Sequence, residues 1–220
     1  MEENRQRTTM KKTFPIGTVV LFVALLSVVL IVIGLVSSFA PKIPQELTGV
    51  LRPAPRPLQP FIFKDQAGKL YTLADLEGKW TLLFFGYTYC PDVCPTTLNV
   101  LTSVSEQLKA SPGSNKDVQV VFVSVDPQRD KPKVFAKYLS YFQDDFIGIT
   151  AGQDKIRAFA DQFGAMFFKE QEVDPGNYLM AHTSSIFLVN SVAEIVASFS
   201  PPHEPDTIAS QYLAIRGLGL

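Results

Sequence analysis

Two apolar, β-rich runs at residues 80–87 and 118–125 are separated by a stretch in which Leu98, Leu101, Val104 and Leu108 recur at helical spacing. Strand, amphipathic helix and strand in that order make a βαβ unit, which commits the chain to an α/β architecture. Pro95 suits the first turn of the helix, where a missing N–H costs nothing, so the helix is expected to open there with Cys94 as its N-cap. Downstream, the pattern predicts a helix over 131–142, a strand over 146–150, a helix over 153–163 and a short strand over 166–168. An antiparallel pair over 184–189 and 194–199 turns at Asn190-Ser191, and a helix over 206–215 closes the chain. Ahead of the unit, Phe61-Ile62-Phe63 and Leu70-Tyr71-Thr72 flank Asp65-Gln66-Ala67-Gly68, which has the turn chemistry of a hairpin.

The chain has two cysteines, Cys90 and Cys94, and both stand at the first strand-to-helix junction. Free N–H groups and the dipole of a helix start favour thiolate over thiol, so both sulfurs are expected to be reactive. Such a pair can close a disulfide, clamp a soft metal ion, or serve in a redox couple. A purely structural staple is the weaker choice, because a disulfide across so few residues removes little entropy from the unfolded chain. A βαβ half, a ββα half and cysteines at this junction predict a thioredoxin-like fold with an N-terminal β-hairpin extension.

Residues 16–40 carry no charged side chain and are rich in Val, Leu and Ile. At about 1.5 Å per residue such a helix exceeds the roughly 30 Å of a bilayer's hydrocarbon core, which predicts a single transmembrane helix. Ser38-Phe39-Ala40 also has the small-x-small form of a signal-peptide cleavage site, although a signal peptide's apolar region is only about 7–15 residues long. Arg5, Arg7, Lys11 and Lys12 precede the helix, and Lys42 alone follows before Arg52, so positive charge holds the short tail in the cytoplasm. The expected organisation is a cytoplasmic tail at 1–15, an anchor at 16–40, a Pro-rich linker at 41–60 and a globular domain at 61–220. The anchor then lies in a bacterial inner membrane with the domain in the periplasm. A net charge of −1 supplies no basic field for nucleic acid.

Two thiolates make a linear site, and copper(I), a soft ion, commonly takes a third ligand. Two histidines are available. His182, at the entrance to the strand over 184–189, is either packed at a strand end or a ligand. His203, in Pro201-Pro202-His203-Glu204, is expected on the solvated surface. The stretch 169–181, with Asp174-Pro175-Gly176-Asn177 as a turn, is too polar for core and is expected to be a loop carrying His182 toward the cysteines. Asp126, at the carboxyl end of a parallel strand, is either a helix N-terminal turn residue or a carboxylate supporting the site.

The run Phe85-Gly86-Tyr87-Thr88-Tyr89-Cys90-Pro91-Asp92-Val93-Cys94-Pro95-Thr96, then Ser124-Val125-Asp126-Pro127-Gln128-Arg129-Asp130, then His182, resembles the Sco (SenC) family of membrane-anchored copper chaperones. The resemblance covers the exported domain from about Phe61 and includes the anchor. It implies that Cys90, Cys94 and His182 bind one copper ion, as copper(I) with copper(II) left open, that Cys90 and Cys94 also form a redox disulfide, and that Asp126 stands near the site. Tyr89 and Ala181 replace a His and an acidic residue that many family members carry beside the ligands. The implied partner is subunit II of cytochrome c oxidase at its dinuclear copper centre, with other periplasmic copper chaperones as further partners. The rival function is a thiol-disulfide oxidoreductase that reduces the oxidase's copper-site cysteines. A peroxiredoxin fits poorly, because Tyr87 stands where its threonine belongs. A sensor signalling through the short tail is also less suited.

Overall fold

Strand β4 (Trp80–Gly86) is buried along its whole length, as expected of a run with no polar face. It pairs in parallel with β5 (Val118–Ser124), and the two are joined by helix α2 (Val93–Ala110), so the predicted βαβ unit is present. The computed structural model describes residues 16–39, 43–111, 117–172, 174 and 176–220. Beyond β5 the chain forms α3 (Pro132–Leu139), β6 (Ile147–Thr150) parallel to β5, and α4 (Gln153–Phe163). A separate two-stranded ladder, β7 (Phe167–Lys169) with β8 (Met180–His182), precedes β9 (Ile186–Val189), β10 (Glu194–Phe199) and α5 (Pro205–Gly217). Of these, α4 and β10 coincide with the predicted spans and the others agree to within a few residues at their ends, except β8: the stretch 169–181 is expected to be a loop throughout, but its end pairs with β7 and carries His182 on a strand.

The alternation of β4 assigns its neighbours. Trp80 meets Tyr212 of α5 edge to face at 5.7 Å, and Phe84 stacks on Phe122 of β5 at 5.8 Å. On the opposite face, Phe85 packs against Phe159 and Phe163 of α4 and against Phe187 of β9. Each fully buried aromatic contributes about 1.5–3 kcal/mol of burial free energy, so these two layers dominate the core. The α2 connection puts its amino terminus, and with it the cysteines, at the carboxyl end of β4.

Two expectations about the segment before this unit change. Strands β2 (Ile62–Asp65) and β3 (Leu70–Thr72) form the predicted hairpin, but they join the main sheet, because β2 pairs antiparallel with β6. Residues 51–57, expected within a linker, form β1 (Leu51–Pro57) on the far edge of the same sheet, paired with β10. Proline lacks an N–H to donate, which bars it from central strands; an edge strand needs donors on one side only. Leu47 is fully buried, and Arg52 donates to the Phe163 carbonyl at 2.7 Å, so the domain begins before Phe61.

Helix α1 (Ile16–Phe39) belongs to a unit separate from residues 43–220. Among the described residues no helix is long and apolar enough to cross a membrane. The tail at 1–15, with Arg5, Arg7, Lys11 and Lys12, and residues 40–42 lie outside the described residues.

Candidate metal centre

Strand β4 ends at Gly86, and the chain turns through Tyr87, where the carbonyl accepts the Cys90 N–H at 3.3 Å. Helix α2 opens two residues earlier than predicted, so Asp92 is the N-cap and Cys94 sits within the first turn. Asp92 makes no side-chain cap; instead the Cys94 N–H donates to Cys90 Sγ at 3.4 Å. A helix start leaves N–H groups unpaired, and here a sulfur takes one of them. Cys94 is fully buried against β4, where Gly86 makes room: a Cβ on Gly86 would stand 2.8 Å from Cys94 Sγ and 2.6 Å from the Phe122 ring.

His182 ends β8 and reaches this junction from the other side. Its Nε2 lies 3.4 Å from Cys94 Sγ, and its Nδ1 lies 3.1 Å from the Thr183 carbonyl. A carbonyl only accepts, so in the neutral ring Nδ1 carries the hydrogen and Nε2 presents its lone pair to the sulfurs. The ring stands edge to face with Phe84 at 5.8 Å and Tyr87 at 5.9 Å, which fixes its plane. The donor atoms of Cys90, Cys94 and His182 all lie within 4.8 Å of one another. Thus the residues that the sequence singled out converge, from a loop, a helix and a strand end. A 310 Å³ cavity beside them is lined by Tyr87, Cys90, Asp92, Met180, His182 and Ser184.

Both sulfurs are expected to be reactive, and the structure sets them apart. Both are free thiols, but Cys90 is half-buried and Cys94 buried. The Cys94 thiol facing it, helped by His182 and by the backbone N–H groups of Asp92 and Cys94, holds the Cys90 pKa down at about 3 against the opposing effect of burial. Cys94 moves the other way, because its hydrogen bond to Cys90, its burial and the Cys90 charge all favour its protonated form. At neutral pH the pair is one half-buried thiolate and one fully buried thiol.

Asp126 stands beside the centre without contacting the imidazole. Its Oδ1 accepts from the Tyr178 hydroxyl at 2.9 Å, and its Oδ2 pairs with Arg129 Nε. The imidazole is oriented by Thr183, so a carboxylate of Asp126 acts on the His182 loop rather than on the ring. Asp130, which the sequence did not single out, ties the cysteine loop to β5: it accepts from Thr88 Oγ1 and Ser124 Oγ at 2.5 Å each. Burial pushes the Asp130 carboxyl above its ordinary pKa. His203, expected on the surface, is partly buried and its Nε2 lies 2.9 Å from the Ser184 carbonyl. Its bond braces the chain two residues beyond His182. Nothing in the local sequence around Tyr178 or His203 signals these roles, because Asp126 and Ser184 lie 52 and 19 residues away.

Comparison with known proteins places this geometry among relatives. The family profile described as SCO1/SenC matches residues 51–215. The SCO2-like protein of Rickettsia felis is 33% identical over 145 residues, which cover 66% of this chain and 69% of that protein. Protein SCO1 homolog 1, mitochondrial, of Arabidopsis thaliana is 34% identical over 149 residues, covering 68% of this chain, and the match spans only 44% of that longer protein. The crystal structure of Arabidopsis thaliana ScoI with copper bound superposes with a TM-score of 0.67 at 32% identity, covering 72% of this chain and 98% of the other.

Proposed function

The chain belongs to the SCO1/SenC family and has its thioredoxin-like fold, and on that premise we propose that it is a copper-binding chaperone for cytochrome c oxidase assembly. The observation that carries this reading is the convergence of Cys90, Cys94 and His182 within 4.8 Å. Two sulfurs and an imidazole nitrogen are a soft donor set, suited to copper(I). The related plant structure with copper bound supports the choice of metal. Copper is the cargo here. Cys90 offers a ready thiolate, Cys94 gives up its proton to bind, and Nε2 of His182 completes the set. Release can begin at His182, which stands on a segment separate from the loop and helix start that hold the sulfurs.

We further assign delivery to the dinuclear copper site of the oxidase's subunit II, with the domain in the periplasm of a bacterial cell. Residues 16–40, which carry no charged side chain, are proposed as the membrane anchor. Confinement to the oxidase's own membrane raises the effective concentration of the partner. The test is anaerobic copper(I) titration of the full chain in detergent, wild type against His182→Ala. One tight equivalent in the wild type, weakened in the variant, is expected; a wild type that binds no copper would refute the chaperone.

A second reading has its own observation. The half-buried thiolate of Cys90 beside the buried thiol of Cys94 matches an attacking and a resolving sulfur. Cys90 would open a substrate disulfide, and Cys94 would then displace the second substrate thiol, leaving Cys90 and Cys94 oxidised. Disulfide reduction by a protein that binds no copper would select this function.

A further inference from the structure

The donor set is divided between two segments, and one side chain outside it reaches both. Arg129 follows β5 and its side chain is 15% exposed. Its Nε pairs with Asp126, and its Nη1 donates to the Tyr178 carbonyl at 2.8 Å. The guanidinium carbon lies 3.6 Å from the centroid of the Tyr178 ring, 4.9 Å from that of Tyr89 and 5.5 Å from that of Tyr87. Tyr89 directly precedes Cys90, Tyr178 stands four residues before His182, and the Tyr87 ring meets the imidazole edge to face. One cation therefore sits against three tyrosines that flank the ligands.

Tyr178 in the loop between β7 and β8 is buried and also carries the Lys169 ammonium of its own hairpin 3.9 Å from its ring, but the loop's hydrogen bonds to the rest of the domain are few. The hydrogen bonds that described residues 171–179 make outside their own hairpin go to Asp126 and Arg129: the Arg129 bond to the Tyr178 carbonyl, and the Tyr178 hydroxyl to Asp126. Other bonds, such as Glu170 N–H to the Leu179 carbonyl and Lys169 to Glu172, stay within the hairpin. A guanidinium suits this place, because it is planar, permanently charged and forked, so it can stack on an aromatic face while donating in two directions. A lysine ammonium can supply the charge but not the plane or the fork.

The geometry points to Arg129 as the positioning residue that holds the His182 loop against the cysteine loop and so sets how tightly copper is kept. This inference rests on the copper-binding function proposed above. If Arg129 acts through His182, removing it matters only while His182 is there to be positioned, and the two substitutions are non-additive.

The test is a double-mutant cycle on the full chain in detergent, with copper(I) affinity measured by anaerobic competition against a chromogenic chelator. Arg129→Met is expected to weaken binding by about 10- to 100-fold, the usual effect of removing a group that orients a ligand. Arg129→Lys is expected to fall with it. In a His182→Ala background, Arg129→Met should change affinity less than about twofold, and amide exchange of metal-free residues 170–182 should be faster in Arg129→Met than in the wild type. A loss of equal size in both backgrounds, or wild-type affinity in Arg129→Met and Arg129→Lys, would overturn the role. If Arg129→Met does not fold, Arg129→Lys carries the same cycle. A wild type that binds no copper fails the functional reading itself, whereas a wild type that binds with indifferent Arg129 variants fails this inference alone.

Discussion

Gly86→Ala tests how the fold fixes the buried sulfur. The added methyl would stand 2.8 Å from Cys94 Sγ and 2.6 Å from the Phe122 ring, and both neighbours are fully buried. An ordinary contact of about 3.5–4.0 Å requires the sulfur, the strand or both to give way by roughly 0.7–1.2 Å. Overpacking of this kind costs about 1–3 kcal/mol, and in a domain of this size each kcal/mol lowers Tm by about 2–4 °C. Gly148→Ala is the matched control: its methyl would meet Leu139 at 2.6 Å and Phe135 at 2.7 Å, on the sheet beside α3. Metal sites tolerate errors of only about 0.2 Å in ligand distance, so a sulfur moved by several times that is misplaced. Melting followed by circular dichroism should therefore show similar losses in the two variants, while copper(I) competition should show affinity reduced about tenfold or more in Gly86→Ala alone. Wild-type affinity in Gly86→Ala at a lowered Tm would refute the claim that this glycine sets the position of Cys94.

The inequality of the sulfurs predicts that iodoacetamide at a pH of about 6 modifies Cys90 well before Cys94, because only the thiolate reacts, and that the difference disappears in denaturant. Peptide mass spectrometry reads this directly, and modification of Cys94 first would contradict it. Because Cys94 must lose a proton to bind metal while Cys90 has already lost its own, copper(I) affinity should rise about tenfold per pH unit between about pH 6 and 8. A flat profile counts against the assignment. Asp130 has a raised pKa, so the folded state holds a proton that the unfolded chain releases at the ordinary value of 3.8. Its stabilising contribution is complete below that value and is lost as pH rises through the raised folded-state value, so as pH is raised from about 4 the wild type should lose Tm relative to Asp130→Asn. Parallel pH profiles would show that Asp130 does not titrate in this way.

The two cysteines were legible in the sequence because their chemistry is carried by residue type, whereas His182 became a ligand candidate of weight only through the family resemblance. Only two cysteines exist, they follow an apolar run, and a single histidine stands ahead of the last sheet pair. The prolines of 51–57 misled for a physical reason: they report that a strand cannot be central, not that it is absent, and the β10 partner that makes an edge strand possible lies far downstream. Arg129 and Tyr178 were illegible because their bond joins residues 49 apart, in a loop whose sequence is merely polar.

By itself, the sequence determined the βαβ unit and the placing of both cysteines at the strand-to-helix junction, since hydrophobic period and residue type are local properties, while it left His182 open between a packed strand end and a ligand until the family resemblance was added. Only the tertiary structure decided that Cys90 is the thiolate and Cys94 the buried thiol, and that His182 is oriented by Thr183 with its loop tied to Arg129. Burial, hydrogen bonding and charge at a sulfur depend on what packs against it, and those neighbours come from β4, β5 and β8, which only the folded chain brings together.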